Sequence, residues 1–222
     1  MILSYSTHKK MVMKDAGLSI IATKSPIAYR DIVEGLLQKN ERLLFCDDNY
    51  QSKEIGKAFD FVGDPVLSGD VTAKYMTSII NKLVADLDAP SRDKLLKAYS
   101  QLESLLQDTL FMADLPLKIN FSQDLKKLLK LEKVQLDSDF VNSPYDIIET
   151  ILRIHQECGM DSIPVFCNVS HYLEGDAVAE LSSLCLQMKL KLIFIEFSGR
   201  DFLIVPQNAK CFYIDEDLVD WY

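Results

Sequence analysis

Residues 190–197 read LKLIFIEF, with apolar side chains falling on both faces of the run. A strand that is apolar on both faces needs cover on both, which places it centrally in a sheet. The runs expected to join it come from both ends of the chain. LSIIAT (18–23), LLFCDD (43–48) and AFDFVG (58–63) precede the middle of the sequence, and IPVFCNV (163–169) and CFYIDED (211–217) follow it. Pro26, behind Ser25 as N-cap, opens a helix to about Asn40, whose inner face carries Ile27, Ile32, Val33, Leu36 and Leu37. Strand–helix–strand order of this kind predicts an α/β fold with a parallel-rich sheet. Residues 1–6 and 10–14, split by Thr7-His8-Lys9, read as a hairpin.

Between these runs the period changes. Tyr75, Met76, Ile79, Ile80, Leu83 and Val84 mark one helix, with Ser68 or Asp70 as its cap. Ala89-Pro90-Ser91 breaks it, and a leucine-rich helix follows to about Ala113. LPLKINF (115–121) alternates like a strand, and Ser122 can cap a short basic helix, DLKKLLKL. Residues 66–140 are therefore expected to form a helical insertion dominated by an αα-hairpin, with residues 1–65 and 141–222 forming the α/β domain. Beyond it, Ser143-Pro144 opens a helix that Gly159 stops, and a second helix covers 174–188.

The formal net charge of −9 argues against a generic nucleic-acid binder, but the charge is uneven. Residues 118–133 carry five lysines against two acids, whereas residues 134–222 carry five basic residues against fifteen acids. An acidic chain binds phosphate when its basic groups converge on one face. The five cysteines (Cys46, Cys158, Cys167, Cys185 and Cys211) are scattered and form no CxxC pair, so they read as free thiols. The N-terminal residues carry charge too early for a signal peptide, and no run approaches roughly 18 uninterrupted apolar residues. A cytoplasmic protein without a membrane segment is the expectation.

The chemistry-bearing residues give no catalytic constellation. The turn ATKSPIAYR after the first long strand contains no glycine, so it cannot curl backbone amides round a phosphate as a Walker loop does. Asp47-Asp48 ends a strand and could hold Mg²⁺ for phosphoryl chemistry. A solvated loop pair or a helix cap is the simpler reading, and the acceptor Asp and the later Lys that such chemistry needs have no clear counterparts. His8, His155 and His171 are far apart and lack a nucleophile motif beside them. The basic positions Lys9, Lys10, Lys53, Lys57, Lys126 and Lys127 carry more weight. Lys53 and Lys57 would share a face if helical, and Lys126, Lys127 and Lys130 ride a helix whose Leu125, Leu128 and Leu129 point inward.

The succession IIATKSPIAYRDIVEGLLQKNERLLFCDD, AFDFVGDP, DVTAKYMTSIINKLVADLD, KLLKLEKVQLD, IPVFCNVSHYLEGDAVAEL, LKLIFIEF and FYIDEDLV resembles the type II-A CRISPR-associated adaptation proteins of the Csn family over nearly the whole chain. The likeness lies in architecture and diffuse apolar motifs. It implies a P-loop-like α/β head without a nucleotide loop, and a helical leg inserted mid-chain. It further implies a non-catalytic homotetrameric ring that binds double-stranded DNA ends during spacer acquisition, alongside the CRISPR integrase proteins and the RNA-guided nuclease. The family's basic neighbourhood after LLFCDD matches Lys53 and Lys57. The family also binds calcium near an acidic stretch before the short helix. Here that stretch is ADLPLKINFSQDL, with only Asp114 and Asp124 as carboxylates, Asn120 as a neutral donor, and Lys118 opposing. A weak or absent calcium site, and no nucleotide, are expected. Two other readings stay open: a protein-binding scaffold of the adaptation complex, and a metal-dependent phosphohydrolase at Asp47-Asp48.

Overall fold

The structure is a computed structural model that describes residues 1–120, 122, 124–137 and 141–221. The chain divides into two compact units, one formed by Met1–Thr72 with Asp137–Tyr222, the other by Ala73–Leu136.

The discontinuous unit is mixed α/β. Its main sheet has six strands in the order β5 (Phe59–Gly63), β6 (Ile163–Cys167), β7 (Lys191–Phe197), β3 (Gly17–Thr23), β8 (Lys210–Ile214) and β9 (Asp220–Trp221). The first five are parallel, and β9 closes one edge antiparallel to β8. The run LKLIFIEF is β7, which lies between β6 and β3 and is buried from Leu192 to Glu196. Helix α1 (Pro26–Leu36) starts where expected, with the Ser25 hydroxyl accepting from the Ala28 amide. It packs on β3 and β7 through Ala28, Ile32 and Leu36, side chains that join Ile21, Ile193 and Ile195 in one core. Helices α6 (Pro144–Glu157) and α7 (Gly175–Met188) contribute Ile148, Ile151, Leu152, Val178 and Leu181, all buried. A capping box between Ser143 and Asp146 sets the start of α6.

Two expectations about strands are corrected here. Residues 43–48 do not add to the parallel sheet. β4 (Leu43–Cys46) pairs antiparallel with β1 (Ile2–Tyr5), and β1 pairs with β2 (Met11–Val12), so the hairpin and β4 make a separate three-stranded sheet. This sheet sits against α1 because residue 35 is glycine: a Cβ there would meet the Leu43 Cβ at 2.6 Å. The last strand is also shorter than 211–217, because Asp215 leaves it to bind the amides of Asp217 and Val219 in the turn that leads to β9.

The second unit is helical. A turn at Ala73–Tyr75 leads into α3 (Met76–Asp86), which packs on α5 (Leu125–Leu131). Neither Ser68 nor Asp70 caps α3; the Asp70 carboxylate binds the amide and hydroxyl of Thr72 instead. Helix α4 (Ala89–Phe111) begins with Asp88 as N-cap and Pro90 in its first turn, so the expected break is a helix start. No strand forms over 115–120. The amide of Leu117 bonds the carbonyl of Leu115 two residues back, Leu115 and Leu117 are exposed, and no strand in the described part of this unit could pair with them. Phe121, the end of that expected strand, lies outside the described residues, as do 138–140 at the expected domain boundary. Asp124, not Ser122, caps α5. No helix among the described residues is long and apolar enough to cross a membrane.

Candidate nucleic-acid interface

Beyond Cys46, the chain of β4 doubles back on itself. Cys46 bridges to Ser52, and the Lys53 amide bonds the Phe45 carbonyl at 2.9 Å. Asp47 holds the turn: its Oδ1 accepts from the amides of Asn49 and Gln51, each at 3.0 Å. Its Oδ2 lies 3.1 Å from the Lys53 ammonium. The Gln51 amide, helped by Lys53 and the Asn49 amide and opposed by partial burial, keeps the Asp47 carboxyl below its ordinary value. Asp47 is therefore fully occupied as a turn organiser, and Asp48 pairs with the amino group of Met1.

The turn gathers some of the expected basic residues and leaves others apart. Lys10, from the strand hairpin, stands over the Tyr50 ring at 4.6 Å from its centroid. Lys53 follows the same turn, with its ammonium paired to Asp47. Lys57 is on the short helix α2 (Ile55–Ala58) and pairs with Glu54 at 2.7 Å. Lys53 precedes α2, so the two lysines do not share a helical face as the four-residue spacing suggested. The Lys9 amide bonds Asp220, which also accepts from or pairs with His8 at 2.7 Å, so this end of the hairpin is tied to β9. Lys126 and Lys127 belong to the helical unit. Both are exposed on α5, opposite a buried Leu125, and Lys127 reaches the Ser122 hydroxyl at 3.2 Å.

Asp124 spends Oδ1 on the Lys126 amide at 2.9 Å, and Asp114 and Asn120 are exposed. Among the described residues, no three His, Cys, Asp or Glu side chains are placed to hold a metal ion. Calcium asks for six to eight oxygens, several of them carboxylates. Asp114, Asp124 and Asn120 supply two carboxylates and one amide oxygen toward that set.

At the carboxyl ends of the parallel strands, where α/β proteins tend to place ligands, the groups are occupied with one another. Glu196 on β7 is buried. Its carboxylate accepts from the Ser170 hydroxyl at 2.6 Å and the Ser170 amide at 3.3 Å. Burial pushes its carboxyl up, against the pull of these hydrogen bonds. Asn168, in the left-handed region at φ 55°, donates to the Tyr29 hydroxyl at 2.8 Å and accepts from the Phe197 amide at 3.2 Å. Cys167 is buried, which pushes its thiol to about 12 and makes it a poor nucleophile. His155 is buried against Asp60 at 2.9 Å, across α6 and β5. The three histidines thus stay apart, as their spacing suggested, and each serves its own locality. Glu196 was invisible in the sequence because it sits inside the most apolar run, and Tyr50 because nothing in a loop sequence signals its backbone conformation.

The family model of a CRISPR-associated protein, Cas_Csn2, matches residues 37–218. The chain belongs to the Csn2 family. Among solved structures, the crystal structure of Stu0660 of Streptococcus thermophilus is similar to it. The two share a TM-score of 0.59 and 11% sequence identity over 100% of this chain and 76% of that one, which establishes a common fold. No curated protein matches the sequence. Both results agree with the sequence resemblance, which rested on apolar patterning shared at low identity.

Proposed function

We propose that this Csn2-family chain acts in CRISPR adaptation as a non-catalytic, sequence-independent binder of double-stranded DNA ends. The binding form is a homotetrameric ring, and the setting is spacer acquisition in the cytoplasm, with the CRISPR integrase proteins and the RNA-guided nuclease as partners. Family membership over residues 37–218 carries the reading. Lys9, Lys10, Lys53, Lys57, Lys126 and Lys127 are its proposed phosphate contacts. Assembly reconciles this role with a net charge of −9. A few basic positions count fourfold when symmetry turns them toward one axis, while the acidic remainder faces away. Phosphate contacts of this kind position a duplex without reading its bases, and they weaken steeply with salt. No nucleotide is required. Any calcium would be held weakly, by Asp114, Asn120 and Asp124, and the tetramer is the binding form with or without it. Native mass spectrometry tests this directly: a tetramer in chelator supports the reading, and a monomer under all conditions overturns it.

A second reading has an observation of its own. Helix α4 exposes Leu102, Leu105 and Leu106, and Phe111 and Met112 beyond them are 76% and 88% exposed. A row of exposed apolar side chains on one helix suits a protein contact. In the scaffold reading it recruits other adaptation proteins, and DNA contact is incidental.

A further inference from the structure

Tyr50 is at odds with its surroundings in three ways. It is an aromatic residue left 65% exposed at the tip of the turn after β4. Its φ is 59°, the left-handed region that suits glycine or asparagine and disfavours a bulky side chain. An asparagine, Asn49, stands one position earlier, where that tolerance is not used. Strain of this kind persists where the side chain is needed in that place.

The neighbours indicate the need. Lys10 stands over one face of the ring at 4.6 Å, a cation–π contact that holds the ring in position. Lys53 flanks the turn, with its backbone amide fixed to Phe45. The two nearby carboxylates are already paired, Asp47 with turn amides and Lys53, Asp48 with the amino group of Met1. An exposed aromatic ring with a lysine on one face, and a second lysine three residues along the chain, suits an unpaired nucleotide: the ring stacks on a base and the ammonium groups meet the flanking phosphates. A fully paired duplex interior offers no base face to such a ring, whereas a frayed or tailed end does.

We propose that Tyr50 is a stacking platform for an unpaired base at a DNA end, with Lys10 and Lys53 reaching the adjoining phosphates. This rests on the DNA-end reading and specifies which feature of the end is recognised.

The test compares wild type with Tyr50→Phe, Tyr50→Ala and Tyr50→Gly. Fluorescence anisotropy is read on a blunt duplex and on the same duplex carrying a short single-stranded tail, with the melting temperature of each protein measured alongside. Wild type should bind the tailed duplex more tightly than the blunt one. Tyr50→Ala and Tyr50→Gly should lose about 5- to 100-fold in affinity for the tailed duplex, the range expected for one stacked base. Their affinity for the blunt duplex should change little, and Tyr50→Phe should retain the preference. Tyr50→Gly should melt at or above wild type, since it relieves the backbone, which separates lost stacking from lost folding. If Tyr50→Gly binds the tailed duplex as wild type does, the inference falls and the DNA-end reading stands. If wild type binds neither duplex, both fall.

Discussion

Replacing Glu196 separates two roles that its position combines. The carboxylate is an acceptor for the turn at 169–171, and it is also a charge buried in the central strand β7. Glu196→Ala removes the acceptor. The amide and hydroxyl of half-buried Ser170 then lose their charged acceptor. Losing hydrogen bonds to a charged acceptor costs roughly 1–3 kcal/mol, so Glu196→Ala should destabilise by about 2–3 kcal/mol once the lost packing is added. Glu196→Gln keeps an oxygen for the turn and discards the charge, and should lie within about 1 kcal/mol of wild type at neutral pH. The two differ most usefully with pH. Burial raises the folded-state value of the Glu196 carboxyl above that of the unfolded chain, so the native protein binds the proton more tightly. Stability from this group is therefore complete below the unfolded value of about 4.3 and is lost as pH rises through the folded value. Glu196→Gln has no such titration. Urea midpoints for both proteins across a pH series should show wild type losing stability relative to Glu196→Gln as pH rises through that window. A relative gain for wild type over the same window would refute the reasoning, because it would mean that the fold favours the ionised carboxylate.

Asp31 should behave in the opposite sense. Burial pushes its carboxyl up, but hydrogen bonds from Arg42 and from the Tyr5 hydroxyl at 3.0 Å, with the Arg42 charge, outweigh this and leave it below the ordinary value. Asp31→Asn should therefore be less stable than wild type at neutral pH, and the gap in urea midpoints should close as pH falls through the lowered folded value. Lys53→Glu with Lys57→Glu should abolish DNA binding at moderate salt. Where residual binding is measurable at low salt, the slope of log affinity against log salt should be shallower by about 0.9 for each phosphate that is no longer neutralised. The scaffold reading instead predicts that this double variant keeps partner binding and spacer acquisition, so electrophoretic mobility shift and acquisition assays separate the two.

The sheet was legible where a segment's own residues decide its environment. LKLIFIEF is apolar on both faces and LSIIAT reads as a buried strand, and they are the two central strands, β7 and β3. The position of β4 was not legible, because LLFC looks the same whether it joins a parallel neighbour or an antiparallel one. Its partner β1 lies about forty residues earlier in a short hairpin. Residues 115–120 failed as a strand for the converse reason: alternation describes a strand only where another strand is there to pair with it. Helix starts at Ser25 and Ser143 were correct because the caps are local. The start of α5 moved from Ser122 to Asp124, both competent cap residues two positions apart. Of the basic positions, sequence spacing could not show that Lys53 precedes its helix, nor that Lys10 crosses to Tyr50. Those placements follow from the pairing of β4 with β1, which the sequence did not reveal.

The central claim is that the protein engages DNA through its ends, and the most direct test varies only the ends. One duplex sequence would be offered in linear form and as a covalently closed circle, with binding measured at fixed, stated salt. The account predicts tight binding to the linear form, little to the circle, and recovery of binding when the circle is cut once. Equal affinity for the circle and the linear duplex would contradict it.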